Sequence, residues 1–405
     1  MKKILSLAIM AILTMAASAQ TSLNVVVVNH STTDRTDQPV VISLAGKSTV
    51  ASALVKSGEE IIPCQLDDLD QDDEFDELCF LVNLKAKEQK TYQVTLYAEG
   101  TPFSYTPRVY AEMLVRNDKV KEKNRHNNFL ESITARGDCA NSYNVQHHHG
   151  IDFESELNGI RIYFDKRQTL DLYGKFQKRL ELQETQFYTS KEQKAEGYGD
   201  DVLWVGNTFG LGAFRGWDGT QPTMIDPIRS RTQRIISYGP LRTIVEIIDR
   251  AWKPYADKPA INMTLRYTQY AGHRDTDVDV FFDKDVSDYQ FSTGIINVKD
   301  SEEFSDKQGL RACWGTDWPS SDHENFKLET VGLGILIPEF YISSEEPANK
   351  DNYAFVVGTL DKYLSYKVIY CSDNETFGYH SAKEWFDFLK KWKQEVETPV
   401  TIKCD

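Results

Sequence analysis

Three consecutive histidines, His147, His148 and His149, stand out in a chain that has 8 histidines in all. Asp152 and Glu154 follow them closely. Imidazole titrates near neutral pH, so this cluster could supply a general acid or base. On a regular strand His147 and His149 would share one face and His148 would oppose them. We therefore take His147 and His149 as candidate catalytic residues and His148 as a candidate substrate ligand. Two histidines on one face beside an acid could also bind zinc, although no third ligand is evident. A hydrogen-bonded loop cluster is the structural alternative.

A glycine-rich stretch from residue 197 to residue 219 mixes carboxylates with indole rings. Indoles stack on the apolar face of a sugar, and carboxylates accept hydrogen bonds from its hydroxyl groups. Asp200, Asp201, Trp204 and Trp217 are therefore candidate substrate-binding residues, and Tyr198 is a candidate catalytic partner. Turn glycines around core tryptophans are the alternative, and we expect at least one of the two tryptophans to be buried.

Arginines are concentrated between residues 160 and 275, which hold 11 of the 17 in the chain. A guanidinium group binds carboxylate or sulfate oxygens in pairs, so this concentration favours an anionic ligand. We predict Arg161, Arg231, Tyr238 and Arg242 as substrate-binding residues and His273 as a further catalytic candidate. Cross-strand pairing with neighbouring acids is the alternative.

An acidic run occupies residues 67–77, and four of its aspartates follow the spacing of a calcium-binding loop. Asp73 stands where such loops have glycine, and Cys79 stands where they have an acid. A solvated hairpin tip is the alternative. Cys64 and Cys79 flank the run, and we predict that they come close enough for a disulfide. The predicted calcium ligands are Asp68, Asp70, Asp72 and Asp76.

The elements that must position these residues are strands. Segments such as Arg242–Ile248 and Met263–Tyr270 alternate apolar and polar residues, which is typical of antiparallel sheets packed as a sandwich. We predict an all-β fold with a small N-terminal β-sandwich domain over residues 20–100 and a large domain over residues 108–405. One helix is predicted from Ala382 to about Val396, with Ser381 and Glu384 as a capping box and an apolar stripe that docks on the sheet.

The net charge disfavours one class of partner, and the N-terminal segment predicts where the protein is located. Lys and Arg number 46 and Asp and Glu 61 among 405 residues, a net charge of −15 that disfavours nucleic acid as a partner. Residues 1–19 resemble a signal peptide cleaved after Ala19, which predicts a periplasmic or extracellular protein. We find no segment apolar enough to span a membrane.

Several segments resemble a known family. They are residues 143–150, 162–166 with 173–175, 197–204, 238–243 and 270–275. Together with the acidic hairpin they resemble the secreted domain-of-unknown-function family numbered 4861. That resemblance implies a fold similar to the galactose-mutarotase β-supersandwich, preceded by a small β-domain. It also implies carbohydrate handling, because proteins with this superfold include polysaccharide lyases, hydrolases, epimerases and non-catalytic modules.

The sequence thus predicts a secreted enzyme that acts on acidic glycans, with a uronide lyase as the leading activity. In such a lyase an arginine neutralises the uronate, and His or Tyr groups move the protons. A glycoside hydrolase that uses Asp200 or Asp201 with Glu154 is the alternative enzyme. A non-catalytic glycan-binding protein is the alternative from another class. No cofactor is expected beyond a structural calcium ion.

Overall fold

The computed structural model describes residues 20–47, 49–117, 119, 126–137 and 145–405, and it confirms the all-β prediction. The first strands are β1 (Gln20–Val28), β2 (Arg35–Ser43), β3 (Ser52–Ser57), β4 (Glu60–Ile62), β5 (Cys64–Asp67), β6 (Glu77–Leu84) and β7 (Gln89–Tyr97). After a segment without strands come β8 (Val109–Val115), β9 (Asn128–Phe129), β10 (Ser132–Arg136), β11 (Gln146–Ser155), β12 (Gly159–Tyr163), β13 (Leu170–Gly174), α1 (Leu182–Thr185), α2 (Lys191–Ala195) and β14 (Asp200–Asp201).

The remaining elements complete the large sheets and the C-terminus. They are β15 (Arg215–Trp217), β16 (Pro222–Thr223), β17 (Ser230–Tyr238), β18 (Arg242–Trp252), β19 (Ile261–Tyr270), β20 (Asp275–Phe282), β21 (Phe291–Ile296), β22 (Glu302–Ser305), β23 (Leu310–Asp317), β24 (Glu329–Leu336), β25 (Ile342–Glu345), β26 (Asn352–Val357), β27 (Tyr363–Ser372), α3 (Ala382–Glu397) and β28 (Thr401–Cys404).

Two small sheets enclose an N-terminal core. A five-stranded sheet has the order β28-β1-β7-β3-β4, and a three-stranded sheet has the order β2-β6-β5. Their inward residues, such as Val25, Val40, Phe80 and Val94, form one buried cluster. Strand β28 pairs antiparallel with β1, so the C-terminal strand completes the N-terminal sheet.

Three larger sheets enclose the main core. Their orders are β10-β17-β18-β19-β20-β27-β24-β23-β22, β14-β13-β12-β11-β8-β9 and β16-β15-β21-β26-β25. Neighbouring strands within these sheets pair antiparallel, as the alternation predicted. Burying this much apolar surface is the main favourable contribution to folding.

The six-stranded sheet has two faces of opposite character. Phe153, Ile160, Ile162, Leu170 and Leu172 point into the main core. Between them, Glu112, Asp152, Arg161 and Asp171 stand directly opposite one another on β8, β11, β12 and β13. Opposed residues share a face, so one row of charged side chains crosses four strands on the side away from the core.

The hairpin that joins β5 and β6 packs against the nine-stranded sheet. Arg242 forms ion pairs of 2.7 Å with Asp67 and with Glu77. Arg234 donates a hydrogen bond of 2.9 Å to the side chain of Gln71 at the hairpin tip. These contacts join the N-terminal sandwich to the large sheet.

The predicted disulfide between Cys64 and Cys79 is not formed, and both thiols are free and buried. Cys64 stands opposite Phe80, and Gln65 stands opposite Cys79. Because neighbouring residues on a strand point to opposite faces, the two thiols lie on different sides of the same strand pair. Proximity in the hairpin was therefore predicted correctly, but side-chain direction was not.

Helix α3 confirms the predicted C-terminal helix. The Ser381 side chain accepts a hydrogen bond from the backbone of Glu384, while the Glu384 carboxylate accepts one from the backbone of His380. Trp385, Leu389 and Trp392 pack against the sheet, so the apolar stripe docks on the core as predicted. Among the described residues, no helix combines the length and apolar character needed to cross a membrane.

Candidate functional site

A cleft of about 540 Å³ lies over the polar face of the six-stranded sheet. The structure brings four of the predicted site residues together there: His149, Arg161, Asp201 and Trp204. They come from β11, β12, β14 and the loop that follows β14. Residues far apart in sequence thus meet because neighbouring strands carry them on one face.

Arg161 lies at the centre of this cleft. Its guanidinium group contacts Asp171 and lies 3.2 Å from the carboxylate of Asp201. It also donates hydrogen bonds of 3.1 Å to the hydroxyl groups of Tyr163 and Tyr188. The charge of Arg161 is therefore shared by two carboxylates, and its orientation is fixed from several sides.

Asp171 and Asp201 form a carboxylate pair around Arg161. Asp171 accepts hydrogen bonds from Arg161, from Tyr163 at 3.1 Å and from the backbone of Leu172 at 3.0 Å. Burial, and then the neighbouring charge of Asp171, raises the pKa of Asp201 well above its ordinary value, while Arg161 opposes this rise. Since both carboxylates contact one guanidinium nitrogen, their nearest oxygens lie within about 6 Å of each other. The Asp201 side chain is 14% exposed and that of Asp171 is 2% exposed.

Trp204 forms a wall of the cleft and is 54% exposed. Phe326 and Pro319 also line the cleft. Trp217, by contrast, is buried on β15, as we expected for at least one of the two tryptophans. An indole that is exposed beside two carboxylates is suited to stacking on a sugar ring.

The three histidines do not follow the regular alternation that the sequence predicted. Between Gln146 and Ile151, β11 advances five residues while β8 advances two, from Val115 to Met113. His148 and His149 both have positive φ angles, of 43° and 68°. This β-bulge redirects the side chains, so His148 lies beside His147, with ring centroids 4.9 Å apart, instead of opposing it.

Each histidine has a different environment. His149 lines the cleft and stacks on Tyr163. His147 is buried, and desolvation, followed by the charges of His148 and His126, lowers its pKa to about 2. His148 is fully buried beside Glu112 and Asp152, where desolvation also lowers its pKa well below the usual value. Of the three, we therefore retain only His149 as a residue of the cleft.

Two further predicted residues lie beside the cleft. Tyr198 and Asp200 line a neighbouring pocket that shares Phe326 with it. Asp200 forms an ion pair with Lys194. Glu154, which the hydrolase alternative paired with Asp200 or Asp201, is instead buried in an ion pair with Lys175. The structure therefore pairs Asp201 with Asp171.

The structure places four other predicted residues away from the cleft. Arg231 is buried in an ion pair of 2.7 Å with Asp249, and Arg242 is buried against the N-terminal hairpin. His273 lies 2.9 Å from the backbone oxygen of Asp37, and Tyr238 is exposed at the end of β17. Arg231 thus shows the cross-strand pairing that was the alternative explanation, whereas Arg242 forms ion pairs between sheets that the sequence did not predict.

Three of the four predicted calcium ligands come together. Oxygens of Asp68, Asp70 and Asp76 lie within 4.8 Å of one another, and Asp72 is not part of this group. Asp68 also accepts hydrogen bonds from the backbone of the loop. Asp73 has a φ of 72°, the left-handed conformation for which calcium loops use glycine. The calcium site stays a prediction.

Sequence reasoning missed Tyr163, Arg167, Asp171 and Tyr188, all of which line the cleft. Tyr163 belongs to the family-like segment 162–166 but was not selected as a site residue. Strand register places Asp171 opposite Arg161, whereas Arg167 and Tyr188 reach the cleft from segments between the strands. One signal was available. Asp171 interrupts the apolar sequence Leu170–Tyr173 in a strand that is buried throughout, and a buried acid must have partners.

Two solved structures resemble the fold at low sequence identity. An α-mannosidase from Enterococcus faecalis V583 gives a TM-score of 0.47 at 10% identity, covering 95% of this chain and 46% of that chain. A protein in the glycosyl hydrolase family 38 from Enterococcus faecalis gives a TM-score of 0.48 at 10% identity, covering 95% of this chain and 47% of that chain. This chain therefore spans about half the length of each of these proteins. No curated protein matches the sequence.

A family match covers almost the whole chain. Residues 27–402 match the family described as Domain of unknown function (DUF4861). The resemblance that the sequence segments indicated is thereby confirmed, and the chain belongs to the DUF4861 family.

Proposed function

We propose that this protein is a secreted carbohydrate-active enzyme whose cleft binds a glycan against Trp204 and hydrolyses a glycosidic bond. The observation that carries the proposal is the exposed indole beside the pair Asp171 and Asp201. A secreted location is proposed from residues 1–19, which lie outside the described residues.

The two carboxylates suit the two roles that glycoside hydrolysis needs. Asp201, whose pKa is raised, would donate a proton to the oxygen of the leaving sugar. Asp171, fixed by its three donors, would act as the second carboxylate on the other side of the bond. Their separation of at most about 6 Å favours a retaining mechanism, in which the carboxyl groups stand about 5 Å apart.

The arginine environment favours hydrolysis over the uronide elimination that the sequence placed first. A lyase needs a cation to neutralise the uronate group of its substrate. Both arginines of the cleft already contact carboxylates: Arg161 contacts Asp171 and Asp201, and Arg167 contacts Asp165. Two arginines and two aspartates line the cleft, so its formal charges cancel. Neutral glycans therefore belong in any substrate test beside the acidic glycans.

The test is a panel of neutral and uronic-acid oligosaccharides, with product masses and the anomeric configuration measured. We expect products that have gained water and have kept the configuration of the cleaved bond. Unsaturated products without added water would identify a lyase instead, and binding without product would identify a glycan-binding protein.

Matched variants locate the chemistry. We expect Asp201→Asn to lower kcat about 100-fold or more while the protein still folds, because a general acid is lost. Asp200→Asn is the control, since that neighbouring carboxylate pairs with Lys194 outside the cleft. Full activity of Asp201→Asn on a confirmed substrate would remove this carboxylate from the mechanism.

A further inference from the structure

Three titratable side chains meet in the interior beside the cleft, and none of them lines it. They are Glu112 on β8 and His148 and Asp152 on β11, and their side chains have no solvent exposure. His148 Nε2 lies 3.5 Å from a carboxylate oxygen of Glu112 and 3.5 Å from one of Asp152. One ligand atom from each residue lies within 4.8 Å of the others.

Most of the polar side-chain atoms of this cluster lack hydrogen-bond partners. Within the described part of the chain, both ring nitrogens of His148, both carboxylate oxygens of Asp152 and Glu112 Oε1 make no hydrogen bond. Glu112 Oε2 accepts a hydrogen bond of 2.7 Å from Tyr110. Buried polar atoms are almost always partnered, so this number of unsatisfied atoms within one cluster needs an explanation.

The ion pairs of the same sheet face leave the cluster without a paired cation, although Arg161 stands opposite Asp152 and its charge acts on that carboxylate. Glu154 is paired with Lys175, and Asp171 and Asp201 are paired with Arg161. Among the residues that the structure describes, no lysine or arginine forms an ion pair with Glu112 or Asp152. Placing two carboxylates in the interior without an ion-pair partner for either is costly.

The distances fit metal coordination better than hydrogen bonding. A charge-assisted hydrogen bond between a nitrogen and a carboxylate is about 2.7–2.9 Å long. Two ligands that each lie about 2.1 Å from a tetrahedral zinc ion are about 3.4 Å apart. The two separations of 3.5 Å therefore match the length of two edges of a tetrahedron around an ion.

The backbone gives an independent reason for this arrangement. His148 and His149 both adopt the left-handed region, where residues other than glycine are strained. The bulge that contains them turns His148 towards Glu112 and Asp152. Local strain of this kind is concentrated at functional sites, where it orients a side chain.

We propose that Glu112, His148 and Asp152 bind one divalent transition-metal ion, for which Zn²⁺ has the best-matched chemistry. Imidazole and carboxylate are both ordinary zinc ligands, and the ion would balance the two negative charges. Tyr110, which donates to Glu112, would hold that ligand in place from outside. This site is separate from the calcium prediction at the acidic hairpin, and it does not depend on the proposed glycan chemistry.

The test begins with the full chain purified without chelators. Elemental analysis should find about one zinc ion per chain, and removal with a chelator followed by added ZnCl₂ should restore it and raise Tm. X-ray absorption of the zinc-loaded protein should show nitrogen and oxygen ligands at about 2.0–2.1 Å and no sulfur. Failure of the wild-type protein to bind Zn²⁺, or sulfur in the ligand shell, would overturn the proposal.

Variants then locate the ion. Glu112→Gln and Asp152→Asn keep the shapes of the side chains, and each should lower zinc affinity at least 10-fold. Asp76→Asn, in the acidic hairpin, is the control that should keep the zinc. Folding is checked by circular dichroism, and a folded Asp152→Asn protein with undiminished zinc affinity would contradict the assignment. If neither variant folds, X-ray absorption of the wild-type protein decides.

Discussion

Trp204 and Trp217 belong to the same glycine-rich stretch, yet only Trp204 reaches solvent. The difference decides which of them can touch a ligand. We predict that Trp204→Ala weakens glycan binding about 10-fold, equivalent to about 1.4 kcal/mol, because the stacking surface is lost. Calorimetric titration of the ligand found in the substrate panel measures this effect.

The control for that variant is Phe340→Ala, which removes another exposed aromatic side chain, one that does not line the cleft. Both variants should melt close to the wild-type protein, since neither side chain is buried. Equal affinity of Trp204→Ala and wild type would show that the ligand does not use this wall.

At the same scale, the residue types were predicted better than their partners. Arg161, Asp201 and His149 were selected because arginine, carboxylate and imidazole groups can do chemistry. Asp171 was not, because an acid that interrupts an apolar strand indicates only that it has partners and does not indicate which residues they are. Arg242 was selected for its charge, but its partners lie on a hairpin more than a hundred residues earlier. Such a pairing depends on how the sheets pack, which local sequence does not specify.

Among the elements, regular strands and α3 were predictable, and the bulge in β11 was not. Alternation such as that in β19 repeats with the period of the strand itself and is readily recognised. A bulge breaks that period. Its two positive-φ positions are occupied by His148 and His149, whereas a glycine at either position would have indicated the bulge. The predicted faces of the three histidines were wrong for this reason.

The acidic hairpin between β5 and β6 carries the calcium prediction. We expect added Ca²⁺ to raise Tm and a calcium chelator to lower it, because an ion that binds only the folded state stabilises it. Asp70→Asn should remove this response, whereas Asp72→Asn should keep it, because Asp72 lies outside the group of three. Differential scanning calorimetry in buffer without transition metals measures the response. An unchanged Tm of the wild-type protein in Ca²⁺ would refute the prediction.

For the whole molecule, His273 marks where the N-terminal sandwich meets the large sheet. Its ring lies 2.9 Å from the backbone oxygen of Asp37 and 3.2 Å from Asp275, and Lys367 also pairs with Asp275. Burial lowers the pKa of His273, but the hydrogen bond and charge of Asp275 outweigh it and raise that pKa above its ordinary value. The charged form is therefore favoured in the folded state.

A raised pKa in the folded state adds stability below the unfolded value of about 6.5, and this stability is lost as pH rises through the folded pKa. We predict that the difference in free energy of unfolding between wild type and His273→Gln is largest below about pH 6.5 and shrinks as the pH rises above this value. Urea denaturation at a series of pH values measures it. A difference that stays constant over this range would show that the proton on His273 does not contribute.

The pairing of β28 with β1 has a consequence for the order of events during biosynthesis. The edge of β1 that pairs with Thr401–Cys404 has no partner until those residues have been synthesised. An unpaired strand edge can associate with other chains. The five-stranded sheet of the N-terminal sandwich is therefore completed only after Thr401–Cys404 have been synthesised, and loss of these four residues would expose the backbone edge of β1.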